Sequence, residues 1–125
     1  MVNSAHPISW FEIPVNDMER AMKFYESVLG VKLAPFKTAE FDMAWFPSGQ
    51  VAGGAAGALM KAENYVPSHA GTMVYFAVDD VDGTLKTVET LGGKVLNRKT
   101  SVGHCEDCEG NRVAVHSKQL TRSLR

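Results

Sequence analysis

The chain repeats itself. "SWFEIPVNDMERAMKFYESVLGVKL", residues 9–33, returns as "TMVYFAVDDVDGTLKTVETLGGKVL", residues 72–96. At a constant offset of 63 residues Trp10 matches Met73, Val15 matches Val78 and Asp17 matches Asp80. Lys23, Glu26, Gly30 and Leu33 match Lys86, Glu89, Gly93 and Leu96 in the same register. The offset is about half of the 125 residues. A duplication on this scale fixes the architecture, because one copy must fold as the other does.

Each copy carries the same order of local signals. Apolar runs rich in β-branched and aromatic residues come first, "ISWFEIPV" and "TMVYFAV", and predict strands. Asp17 and Asp80 follow, where a carboxylate can accept a helix N-terminal N–H and meet the positive end of the helix. Met18, Ala21, Met22, Tyr25, Val28 and Leu29 then recur at helical spacing, as do Val81, Leu85, Val88 and Leu91 in the second copy. Gly30, and Gly92 with Gly93, supply helix stops. Three further strands are expected in each copy. They are "VKLAPFK", "EFDMAWFPS" and "AAGALMKA", then "KVLNRKT", a very short "VGHCE" and "NRVAVHS". The reading is an α+β chain of two tandem βαβββ modules, residues 7–61 and 72–117. Residues 62–71 link them through Pro67, Ser68 and Gly71, and a polar basic tail, 118–125, follows.

Bulk properties exclude several classes. A formal net charge of −1 gives no electrostatic footprint for nucleic acid or an anionic membrane. No apolar run approaches the roughly 20 residues of a membrane helix, and "MVNSAHPISW" lacks a signal-peptide pattern. A cytoplasmic protein is expected, with its two cysteines reduced.

"GHCEDCEGNR", residues 103–112, places His104, Cys105 and Cys108 within five positions. A closed zinc site takes about four donors, and no second cysteine pair exists to complete one. The Cys-x-x-Cys spacing also lacks the strand-then-helix setting of a redox dithiol, since a strand follows it. The stretch reads as a turn with incidental cysteines. Gly53, Gly54 and Gly57 lack the spacing and the Lys-Ser/Thr pair of a phosphate loop, so they are expected to allow sheet curvature or close packing at a dimer seam.

The motifs "WFEIPVNDMERAMKFYESVLGVKL", "GGAAGALMK", "VYFAVDDVDGTLKTVETLGGKVL" and "EGNRVAVHS" together resemble the vicinal oxygen chelate superfamily. This is the glyoxalase, bleomycin-resistance and extradiol-dioxygenase fold, here with the subgroup of predicted enzymes related to lactoylglutathione lyase. The resemblance implies two side-by-side modules around a small-molecule cavity, and a homodimer. It also implies that the strand ahead of Asp107 is shortened, which would leave the second sheet thin on one side. The superfamily's enzymes hold a divalent metal on the first and fourth strands of each module. The matching positions here are Trp10, Met73 and Ala114, with no His, Asp, Glu or Cys between Val51 and Met60. No metal and no other cofactor is expected.

What the resemblance leaves is a cavity with few polar groups. Strand alternation sets Glu12 beside Trp10, Tyr75 beside Met73, and His116 beside Ala114 on the cavity face. Glu12, Tyr75 and His116 are therefore the candidate acid–base residues, because burial moves a carboxylate pKa toward neutrality and an imidazole titrates near it already. Trp10, Trp45, Met73 and Ala114 are the candidate substrate-binding wall. The competing reading has Glu12 paired with an arginine, Tyr75 packed and His116 closing a strand. The functional expectation is a binder of a small, partly apolar molecule that acts as a lyase or isomerase, or else a non-catalytic sequestering protein.

Overall fold

The computed structural model describes residues 8–47, 56–99 and 101–117. Its elements follow the repeat. The first module holds β1 (Trp10–Pro14), α1 (Met18–Leu29), β2 (Ala34–Lys37), β3 (Asp42–Trp45) and β4 (Ala56–Lys61). The second holds β5 (Tyr75–Ala77), α2 (Val81–Thr90), β6 (Lys94–Lys99), β7 (Val102–Glu106) and β8 (Arg112–His116). Each module is one four-stranded sheet, ordered β1-β4-β3-β2 and β5-β8-β7-β6. In both, the first and last strands pair in parallel and the remaining pairs are antiparallel. A parallel pair needs a crossover connection, and the helix of each module lies in that crossover.

The helices start and stop where their chemistry dictates. The Asp17 carboxylate accepts the N–H of Arg20, and Asp80 accepts that of Gly83. Gly30 closes α1 in the left-handed region at φ 66°, donating its N–H to the Glu26 carbonyl. The second helix ends at Thr90, with Gly92 taking the positive φ, 92°. Met18, Ala21, Phe24 and Tyr25 form the buried stripe of α1, and Val81, Leu85 and Val88 that of α2. These stripes meet alternate residues of both sheets, Ile13, Val15, Leu59, Cys105, Val113 and Val115 among them, in one core. Phe11, Phe46 and Phe76 pack into it around Tyr25, with ring centroids 5.5 to 6.2 Å apart. Gly57 is required by that packing. A Cβ there would meet the Phe11 ring at 2.3 Å, so this glycine allows close packing within its own chain. Gly53 and Gly54 lie outside the described residues, as does the tail.

The segment Asp107–Asn111 turns β7 into β8 and also fastens the second module to the first. Asp107 is 1% exposed, yet its carboxylate is fully engaged. Its Oδ1 accepts the N–H groups of Glu109 and Asn111, and its Oδ2 accepts the Tyr25 hydroxyl at 2.5 Å and Asn111 Nδ2. Asn111 Nδ2 also donates to the Pro14 carbonyl. The Glu109 carboxylate accepts the N–H groups of Asn16 and Asp17 ahead of α1 and both Nε and Nη2 of Arg20. Burial, and then the Asp107 carboxylate, push the Tyr25 phenol well above its ordinary pKa, so it remains a donor. The hydrogen bond to Glu109, and then its charge, push the Arg20 guanidinium upward as well.

The thin sheet expected ahead of Asp107 is not observed. β7 occupies "VGHCE" as read, but its five residues equal β8 in length. It pairs with β6 on one side and β8 on the other over its full span. The economy lies in the connection, because β6 ends at Lys99 and β7 begins at Val102. The second module's first strand is instead the short one. β5 begins at Tyr75, so Met73 precedes it rather than standing on it.

Replacing Asp107 by alanine leaves four donors without their acceptor. Urea denaturation should show a loss of about 3–5 kcal/mol with an unchanged m-value. Tyr25→Phe, which removes one of those donors, should cost about 1–2 kcal/mol. Equal losses from the two substitutions would contradict the turn as the anchor.

Candidate functional site

Alternation along the strands divides each sheet into a core face and an open face. Phe11 and Phe76 point into the common core, their ring centroids 6.2 Å apart. Their alternate neighbours, Trp10 and Glu12 on β1 and Tyr75 and Ala77 on β5, therefore point away from the core together.

The open face of the first sheet is an aromatic wall. Trp10 and Trp45 meet edge-on at 5.4 Å, and Trp45 stacks on Phe36 at 5.7 Å with 28° between planes. All three are partly open to solvent, at 38%, 39% and 47% exposure. Met43, Ala58 and Met60 form a small buried cluster on the same face, flanked by Phe41. The aromatic side chains of the first module thus divide between two faces. Phe11 and Phe46 belong to the core, whereas Trp10, Trp45 and Phe36 form the wall. Glu12 is the polar point here, accepting Trp10 Nε1 at 3.1 Å and the Tyr65 hydroxyl at 2.8 Å. Neither contact is the arginine pair of the competing reading. The bond to Glu12 raises the Tyr65 phenol above its ordinary pKa. Tyr65 comes from the connecting segment, whose Ser68 pairs with Asn111 and the Arg112 backbone. His69 Nε2 lies 2.8 Å from Glu106 Oε2 on β7.

The open face of the second sheet gathers imidazoles around a phenol. Ala114, fully buried, stands between its register partners Tyr75 and His104. Over that methyl floor Tyr75 Oη approaches His104 Nε2 to 3.4 Å. The Tyr75 ring lies 6.0 Å from that of His104 and 6.1 Å from that of His116. His116 Nδ1 lies 3.1 Å from the Ser117 carbonyl. Tyr75 and His116 are thus neighbours, and Glu12 occupies the other sheet with its own partners. Sequence reasoning passed over His104 by reading its stretch as a turn with incidental cysteines. Strand alternation in "VGHCE" held the signal, since Val102, His104 and Glu106 share a face and Gly103 with Cys105 take the other.

The same alternation disperses the Cys/His group. His104 leaves the open face of β7, and Cys105 leaves the core face at 1% exposure. Cys105 is thus a core residue rather than an incidental one in an exposed turn. Burial, then the Asp107 carboxylate, pushes its thiol up to about 12 and that of Cys108 up to about 11. Among the described residues no three His, Cys, Asp or Glu side chains gather around one point. The metal of the superfamily's enzymes does not fit the residues at its positions either. Ala114 offers a methyl group, Trp10 an N–H donor already on Glu12, and Met73 a thioether, where hard oxygen or imidazole donors are needed.

A cavity of about 390 Å³ opens elsewhere, between the end of α1 and the start of α2. Asp79 lines it, and three of its other polar side chains are engaged within the first turns of α2. Asp80 holds Gly83 N–H, and the Thr84 and Thr87 hydroxyls donate to the Asp80 and Gly83 carbonyls. Neither the aromatic wall nor the Tyr75 cluster lines it. The open face is therefore the better candidate site.

This fold and this face place the chain among known proteins. The Glyoxalase/Bleomycin resistance protein/Dioxygenase superfamily matches residues 7–115, and the chain belongs to that superfamily. A glyoxylase-like domain-containing protein of Didymella fabae is 34% identical, over 86% of this chain and 91% of its own. A glyoxalase I mutant from Zea mays superposes with a TM-score of 0.72 at 19% identity, covering 97% of this chain. This chain spans only 50% of that protein. An antibiotic binding protein from a Streptomyces species superposes with a TM-score of 0.63 at 19% identity, over 94% of this chain and 98% of its own. At such identities the structural likeness concerns the fold.

The raised thiols should make the native protein slow to alkylate. At pH 8, below both thiol values, thiolate is scarce, and mass spectrometry after iodoacetamide treatment should find Cys105 unmodified until denaturant is added. Rapid native labelling of Cys105 would contradict its place in the core.

Proposed function

We propose that this protein binds a small, planar, partly apolar molecule on its open face, without the divalent metal of the superfamily's enzymes. The observation that carries the reading is the Trp10–Trp45–Phe36 wall. Three large aromatic side chains remain 38–47% exposed although each is held in ring contact. Rigid aromatic surfaces of this kind take planar ligands by stacking at little conformational cost. The Tyr75, His104 and His116 cluster supplies polar recognition on the neighbouring sheet. The antibiotic binding protein of similar fold supports a sequestering role, and the apolar residues at the metal positions agree with it. A thermal-shift panel of small aromatic compounds should give shifts of at least about 2 °C for some members. Trp45→Ala should abolish those shifts while leaving the unliganded transition in place. Ligand shifts that survive in Trp45→Ala would place binding elsewhere.

A second reading, a lyase or isomerase, draws on the Tyr75–His104 approach of 3.4 Å, with His116 next to it. An imidazole base beside a phenol donor can remove a proton next to a carbonyl and stabilise the resulting oxyanion. Incubation of a thermal-shift hit in deuterated water should then give enzyme-dependent exchange at one carbon, read by NMR. His104→Gln should slow that exchange by at least about 100-fold while binding is retained. Binding without any exchange would leave the sequestering role alone.

A further inference from the structure

Arg112 is the first residue of β8 and alternates with Ala114 and His116, so it belongs to the open face of the second sheet. It sits opposite Glu106 and diagonal to His104, a separation of about 7–8 Å between strands. Three arginines lie among the described residues, and two hold carboxylates. Arg20 binds Glu109, and Arg98 binds Asp82. The Arg112 guanidinium forms no hydrogen bond or ion pair with a described residue, and its Nε is buried without a partner. Its nearest carboxylate in register, Glu106, is instead engaged by His69 at 2.8 Å.

A guanidinium N–H taken out of water and left unpaired is costly, and a planar oxyanion is the partner its fork fits best. The surrounding groups favour the same occupant. Tyr75 contributes a hydroxyl donor and His104 an imidazole, both flanking the flat Ala114 floor. The start of β8 is also fixed, because Arg112 N–H donates to the Ser68 carbonyl and Ser68 N–H donates to Asn111 Oδ1. The open face of the first sheet carries the Glu12 carboxylate, whereas on the second sheet the Glu106 carboxylate beside Arg112 is held by His69. An anionic group is therefore disfavoured beside the aromatic wall and favoured at Arg112. From Tyr65, which holds Glu12, to Ser68, which holds Arg112, the chain covers three residues, at most about 10 Å. The two sites thus lie on one connected surface.

We infer that the open face of the second sheet is an oxyanion site built on Arg112, Tyr75 and His104, and that the ligand class is a carboxylate carried on a planar apolar body. The inference rests on the binding function proposed above and specifies the ligand's polar end.

Calorimetric titration at pH 7 with cinnamate and with its neutral analogue cinnamamide tests it. The wild-type protein should bind cinnamate at least about 10-fold tighter than cinnamamide, as expected of a paired, charge-assisted contact. Arg112→Gln should reduce cinnamate to the affinity of cinnamamide and leave cinnamamide unchanged. Arg112→Lys, which keeps the charge without the fork, should retain an intermediate preference and covers the case in which the glutamine variant fails to fold. Binding of both probes with equal affinity, or an acid preference that persists in Arg112→Gln, would overturn the oxyanion site and leave the apolar binding function standing. Binding of neither probe would overturn both.

Discussion

The structure depends on a buried carboxylate that is never left unpaired. Asp107 sits at the junction of the two modules, where an isolated charge would be prohibitively costly. Its four donors come from its own turn and from Tyr25 on the other module's helix. Glu109, two residues on, closes the first turn of α1 by accepting the N–H groups ahead of it and Arg20 within it. One five-residue turn thereby fixes the β7–β8 hairpin, the α1 N-terminus and the relation between the modules. Fully satisfied buried networks of this type specify one arrangement of a core, because any other arrangement strands their polar groups.

That anchoring has consequences for the open face. Asn111 reaches the Pro14 carbonyl, so the end of β1 is drawn to the start of β8. The aromatic wall on the first sheet and the Tyr75–His104 pair on the second are then parts of one surface, crossed by a segment that bonds to both. The two modules share a fold while their open faces have diverged. Glu12 and Tyr75 occupy equivalent repeat positions, and each pairs in register with an alanine, Ala58 and Ala114. A carboxylate at one and a phenol beside imidazoles at the other give the surface its polarity.

Much of the fold was legible in short-range chemistry. Asp17, Asp80 and Gly30 mark helix ends because capping acts within a few residues of its own chain. The strand "VGHCE" lies where its residues were read, and the turn from Asp107 to Asn111 feeds the last strand as expected. The expected thinning of the second sheet failed for a specific reason. Chain length does not set strand length here, because β6 ends at Lys99 and β7 begins already at Val102. The candidate site was legible in part. Trp10, Trp45 and Ala114 face outward from their sheets as alternation required. Met73 precedes β5, and His104 was hidden because a Cys/His cluster in sequence drew attention away from the alternation that separates His104 from Cys105.

By itself the sequence determined the duplication and the order of elements in each copy. These are local or periodic properties, and pattern and composition are sufficient to state them. Only the tertiary structure decided which polar groups find partners. Arg20 and Arg112 look alike in the sequence, yet one is held by Glu109 from 89 residues away and the other has an unpaired Nε. Partnering across such separations follows from the packing of the modules, which no local signal encodes. It therefore distinguishes an arginine that builds the fold from one available to a ligand.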